Sequence, residues 1–324
     1  MSPIPSRAAD ILEVPLPELE RSFFERRSLI NGILNIATWL IAVVACIPLF
    51  SVLIMLIMRG SRRIGWDVFT ELPPTAFEIG GGFGNAIMGT FVMVGIGALL
   101  SVPIGIFAAT FLSEFSPDSK ISHVARFCAK TLTGLPSILA GVFAYASVVL
   151  ITGTYSAPAG GIALALLMVP TAMLTAEEAM KMVPRIMKDA AFGMGCTPYQ
   201  VVSKVVIPTA MPGIITGVML AVARAAGETA PLLFTALFSD YWINQSGKFD
   251  FMQPTASLSV LIYNFAGMPY ENQIELAWTA SLVLVFLVLV LNIISRAIGQ
   301  RREYAVTMLL VVRKVIGREK AVKE

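Results

Sequence analysis

An arginine and a glutamate stand four residues apart inside an otherwise apolar run, at Arg224 and Glu228. On a helix that spacing puts both on one face, within reach of each other. An ionised side chain at mid-membrane depth costs about 2.5–3.5 kcal/mol or more. Such a pair is therefore kept for one of two reasons. Either it lines a polar pathway, where the arginine fork receives an oxyanion through two parallel hydrogen bonds, or it is a structural ion pair bridging helices. Gly227, between the two, and Pro231, just beyond them, weaken the helix there, which would turn backbone groups toward a cavity.

A second pattern lies upstream. It reads Asp189-Ala-Ala-Phe-Gly-Met-Gly195, then nine residues, then Val205-Val-Ile-Pro208. Ala190, Ala191, Gly193 and Gly195 are small enough to let another surface approach the backbone. Thr197-Pro-Tyr-Gln200 is a capping box, with Thr197 as N-cap and Pro198 at the first helical position. The predicted local structure is helix, sharp turn, helix. A hairpin of this kind suits a docking knob for a partner; the plainer alternative is a small-residue helix-packing site.

The elements that must position these groups are membrane spans. Of the 324 residues 56% are hydrophobic and 14% charged, against about 25% charged in soluble domains. A span needs about 20 apolar helical residues. Ser28–Met58 and Ile79–Ser113 each meet that need, and Thr131–Ala176 holds two spans divided at Gly153–Gly161. Val205 to about Phe238 and Leu276–Ser295 bring the number to six. With a cytoplasmic N-terminus, nineteen lysines and arginines fall on inner segments and only Arg59, Arg62, Arg63 and Lys248 on outer loops. The positive-inside rule thus predicts both termini cytoplasmic. The expected organisation is a cytoplasmic tail over 1–30, a six-helix permease domain over 31–298 and a basic cytoplasmic tail over 299–324. Within it lie an inner loop at 177–208 and an outer, periplasmic loop at 239–275. In the outer loop, Thr255–Gly267 is uncharged and too short to span, which fits an interfacial or re-entrant helix.

Other chemistries find little support. Cys46, Cys128 and Cys196 have no metal spacing, and His123 is the single histidine, so neither a metal site nor a hydrolytic triad is expected. A membrane-embedded enzyme acting on lipid phosphates would need such a cluster. No G-x-x-x-x-G-K-[ST] loop occurs, so the chain is not expected to hold a nucleotide or any cofactor of its own. The net charge of +3 is too small to suggest nucleic acid. The first apolar run is too long for a cleavable signal and reads as an anchor helix that stays.

The 189–208 loop resembles the coupling motif of ATP-binding-cassette (ABC) importer permeases, written E-A-A, three residues, G, nine residues, I-x-L-P. Asp189, Ala190, Ala191, Gly195, Val205, Ile207 and Pro208 occupy those positions, with Asp for Glu, Val for Ile and Ile for Leu. The run Ala223-Arg-Ala-Ala-Gly-Glu-Thr-Ala-Pro-Leu-Leu-Phe234 resembles A-type permease subunits of phosphate-specific ABC importers. Gly80–Thr90, Gly134-Leu-Pro-Ser137 and Thr175-Ala-Glu-Glu-Ala179 add to that resemblance, which covers roughly residues 75–298. It implies an all-α, six-span, type I importer fold in the inner (plasma) membrane. It also implies a phosphate ion passing Arg224, Glu228 and Thr229, with no catalytic residue in this chain. The implied partners are a C-type permease subunit, a homodimeric ATP-binding subunit that uses ATP and Mg, an external phosphate-binding protein, and membrane lipid. A permease for another oxyanion, such as sulfate or molybdate, is the nearest alternative.

Overall fold

The computed structural model describes residues 26–245, 248–294 and 297. Of the expected N-terminal tail it describes only residues 26–30, as the start of a helix; the C-terminal tail at 299–324 lies outside the described residues. The described residues fall into two compact units, divided between Met55 and Leu56. Helix α1, Arg26–Gly60, runs through the boundary between them as 35 residues of continuous helix. At 1.5 Å rise per residue it is about 52 Å long, well beyond a hydrocarbon core of about 30 Å.

In the second unit the elements follow in order. Helix α2 is Gly84–Phe115, α3 is Lys120–Thr133 and α4 is Ser137–Thr152. Helix α5 is Ala157–Lys181, α6 is Arg185–Gly193, and α7 is Pro198–Ala226. Then come α8, Ala230–Thr235, a two-residue β pair formed by β1 (Asn244–Gln245) and β2 (Lys248–Phe249), α9 (Leu258–Ala266) and α10 (Glu271–Ile294). Among the described residues five helices are long and apolar enough to cross a membrane, and α3 with α4 makes a sixth, bent by 104°. Six spans match the apolar runs of the sequence.

Two boundaries differ from the sequence reading. Thr131 was expected to open a span, yet it closes α3, and Gly134-Leu-Pro-Ser137 forms the corner rather than mid-span. Pro136 occupies the cap of α4 with ψ 129°, and the residue before a proline is driven out of helix, so the chain must turn here. Most of helix α3 lies between the apolar runs, in an inner segment that carries Lys120, Arg126 and Lys130. Its Ser122 and Ala129 are buried while Ile121, Val124 and Phe127 are exposed, giving an amphipathic helix nearly perpendicular to the span that follows. The second difference is in span five: α7 stops at Ala226 instead of running to Phe238.

The core lies in three clusters ordered along α2. Phe83 and Ala86 join Leu258, Leu261 and Leu276 at one end. Met93 joins Leu164, Met168, Ala221, Ala225 and Leu232 midway. Ala109 and Leu112 join Met180, Ala191, Val201, Val206 and Ile214 at the other end. Small residues make the α2–α5 seam: Gly97 and Gly105 lie against Gly161 and Ala172, the close packing that membrane helices use without a hydrophobic driving force. Three helices also contain one π turn each, at Phe111–Phe115 in α2, Tyr145–Val149 in α4 and Val202–Val206 in α7.

The arginines that ran against the charge rule have structural employment. Arg63 donates through Nη2 to Gly80 O at 3.0 Å and through Nη1 to Asn272 O at 3.1 Å. Arg59 lies over the Trp278 ring, 5.3 Å from its centroid, a cation–π contact.

Candidate functional site

Arg224 sits two residues before the end of α7. Its side chain is 50% exposed, and it makes one long contact, Nε to Glu228 Oε1 at 3.5 Å. Glu228 is more enclosed, at 17%. Between them the helix ends: Gly227 is the C-cap, Glu228 N bonds back to Ala225 O at 3.2 Å, and α8 begins after Thr229 with Pro231 in its first turn. The weakening expected from Gly227 and Pro231 is thus a full break. The Thr229 hydroxyl does not cap α8.

The break is held from two sides. Gly141 of α4 lies so close to α8 that a Cβ there would stand 2.6 Å from Pro231 Cα. On the other side, Ser259 Oγ donates to the Glu228 carbonyl at 2.9 Å. Ser259 is the second residue of α9, whose N-cap Ser257 accepts from Val260 N at 3.3 Å. Leu258 N, the next backbone donor, is satisfied by Thr90 Oγ1 of α2 at 2.9 Å. The short helix expected within Thr255–Gly267 therefore exists, with Leu258, Val260 and Leu261 fully buried, and its polar start reaches the Glu228 level. Ser257, Ser259 and Thr90 were not singled out from sequence. The only local signal was a serine ahead of an apolar helical run.

Two other recesses do not suit an anion. One, of about 410 Å³, is lined by Glu71, Glu78 and Asp240. Burial pushes the Asp240 carboxyl up, whereas hydrogen bonds from Thr75 N and Thr75 Oγ1 hold Glu78 below the ordinary carboxylate range. The other, about 340 Å³, is lined by apolar side chains around Pro136 and Phe143. Arg224 is an exposed cation at a helix break.

The inner hairpin folds as its residues dictate. Helix α6 carries Asp189, Ala190 and Ala191; Ala191 is buried and the other two are exposed. Gly195 turns the chain at φ +85°, a left-handed conformation that costs other residues about 1–2 kcal/mol. Thr197 and Gln200 make both bonds of the capping box, and α7 starts. Val205 and Ile207 pack on the adjoining core while Pro208 stays exposed. Met182, Ile186, Phe192, Met194 and Tyr199 are exposed on the same hairpin.

Buried charges surround its base. Lys188 Nζ lies 2.7 and 2.9 Å from the two Glu114 carboxylate oxygens. Glu177, 3% exposed, meets Arg126 Nε at 2.7 Å and Lys181 Nζ at 2.6 Å. Arg126 also donates to Pro117 O and Leu112 O, at 2.8 and 2.7 Å.

A family model described as "binding-protein-dependent transport system inner membrane component" matches residues 101–304. The phosphate transport system permease protein PstA of Pasteurella multocida is 36% identical over 86% of this chain and 97% of its own length. PstA of Haemophilus influenzae is 38% identical over 78% of this chain and 87% of that protein. A probable PstA from the archaeon Methanocaldococcus jannaschii is 35% identical over 77% of this chain and 86% of that protein. Among solved structures, a bacterial alginate ABC transporter chain superposes with TM-score 0.60 at 15% identity, covering 85% of this chain and 96% of that one. A MetNI methionine ABC transporter chain gives TM-score 0.51 at 20% identity, covering 67% and 93%. At those identities the likeness concerns the fold, that of type I ABC importer permeases.

Proposed function

We propose, for a chain that belongs to the PstA family of binding-protein-dependent inner-membrane transport components, that it is the A-type permease subunit through which inorganic phosphate crosses the membrane. It is a multi-pass inner-membrane protein of an ABC transport system and works with other subunits. In our reading those are a C-type permease that completes the pathway, a homodimeric ATP-binding subunit that uses ATP and Mg, and an external phosphate-binding protein. Both termini face the cytoplasm, with the hairpin. The chain has no nucleotide loop of its own and acts as a transporter subunit rather than an enzyme.

The observation that carries the reading is Arg224. A half-exposed guanidinium at a helix break in an apolar span, with one 3.5 Å contact to Glu228, keeps most of its donors free for a passing oxyanion. A pair kept for structure alone would be enclosed and closely bonded, as Arg126 and Glu177 are. Thr229, the residue after Glu228, brings a hydroxyl to the same break. The mechanism is alternating access: closure of the ATPase dimer moves the hairpin that carries Asp189, Ala190, Ala191, Gly195, Val205, Ile207 and Pro208. The bundle then rocks around the Arg224 level.

Uptake of inorganic phosphate into proteoliposomes, measured with complex yield, tests this. Arg224→Gln should nearly abolish uptake and leave assembly intact, and Arg224→Lys should restore it in part, because a point charge replaces a planar fork. Neutralising Arg224 and Glu228 together should give no rescue. Full uptake in that double variant would make the pair structural.

A further inference from the structure

Helix α2 is bonded at both of the places a coupling mechanism must connect. Near its start, Thr90 Oγ1 accepts from Leu258 N, and the adjoining Ser259 holds the Glu228 carbonyl. At its last turn, both carboxylate oxygens of Glu114 face Lys188 Nζ of the hairpin helix α6. The two points are 24 residues apart on one continuous helix, about 36 Å at 1.5 Å per residue.

We infer that α2 is the rod that carries hairpin movement to the Glu228 break, and that Glu114 and Lys188 are the positioning residues that fasten the hairpin to it. This rests on the reading of 189–208 as the coupling hairpin. Glu114 and Lys188 side chains are 8% and 19% exposed. A pair so enclosed resists separation, because each charge left alone has lost its water. The π turn Phe111–Phe115 presents Glu114, and Ser113 Oγ donates to Glu114 Oε1 at 3.2 Å, fixing the carboxylate. Arg126 of α3 donates to the carbonyls of Leu112, in the last turn of α2, and Pro117, just after it, which ties this end of α2 to α3. A displacement of α6 therefore moves α2, or breaks a buried ion pair.

Phosphate uptake and ATP hydrolysis, measured together on the assembled transporter in proteoliposomes, test the proposal. Lys188→Met and Glu114→Gln should each lower phosphate moved per ATP by fivefold or more, hydrolysis falling less than uptake. Exchange of the charges (Glu114→Lys with Lys188→Glu) should restore the ratio to within twofold. An unchanged ratio in Lys188→Met, whatever its complex yield, would overturn the proposal. If the single variants fail to assemble, the exchanged pair decides: coupled transport supports the rod and uncoupled transport refutes it. Gly195→Glu separates the two readings. Loss of uptake in Gly195→Glu beside an unchanged ratio in Lys188→Met removes only the rod. Unchanged uptake in Gly195→Glu removes the hairpin assignment beneath it.

Discussion

At the scale of single residues, the two charges at the end of α7 and the serine that holds the Glu228 carbonyl answer different questions. The helical spacing of Arg224 and Glu228 could be read directly, because it depends on local geometry alone. That Ser259 would hold the Glu228 carbonyl depends on a chain reversal 31 residues later, and nothing near either residue encodes it. The bond is open to test. A neutral hydrogen bond contributes about 1 kcal/mol, so Ser259→Ala should reduce phosphate uptake by about fivefold, and Ser259→Thr should recover most of it. Uptake in Ser259→Ala equal to that of the parent would show that the break keeps its shape without α9.

Among elements, the hairpin separates backbone shape from surface fit. No atom lies within 4 Å of where a Gly195 Cβ would stand. Gly195→Ala therefore meets only the left-handed strain, about 1–2 kcal/mol, and should lower uptake by no more than about thirtyfold while the complex still assembles. Gly195→Glu should abolish uptake and stimulated ATP hydrolysis, because a charge enters the face meant for the ATPase. Equal effects of the two substitutions would mean that strain, not docking, explains the loss. The capping box, the weakening at Gly227 and the short helix within Thr255–Gly267 were legible, since each has a short-range signature. The π turns have none. Helix α3 gave no span signal for another reason: it carries three cations, and its tie to the bundle is the long-range pairing of Arg126 with Glu177.

The whole molecule shows why six spans were legible and one span start was not. Apolar length reports that a segment needs lipid, but the 104° corner at Gly134–Pro136 comes from Pro136 and the packing of α3, inside a run that is uncharged throughout. Two arginines assigned to outer loops have partners that the sequence does not announce, Arg63 bonded to Gly80 and Arg59 over Trp278. Topology can be measured with cysteines in a background lacking Cys46, Cys128 and Cys196. Gly247, within the expected outer loop, lies outside the described residues, so Met252 and Met194 serve, both well exposed. Met252→Cys should react with an impermeant thiol reagent applied outside intact cells, and Met194→Cys only after permeabilisation. The opposite pattern would invert the chain in the membrane.

The three π turns have a consequence for how such a chain can change length. Each holds one residue more than the α-helix around it needs, while the flanking turns keep their faces. Loss of one residue elsewhere in a span would rotate everything beyond it by about 100° and carry the pathway face toward lipid. Loss of one within Tyr145–Val149 would instead close the wide turn into ordinary helix, leaving Ser137–Ala144 still turned toward α8. Insertions and deletions in the spans of such permeases are therefore expected to collect at these turns, which serve as the chain's reserve of slack.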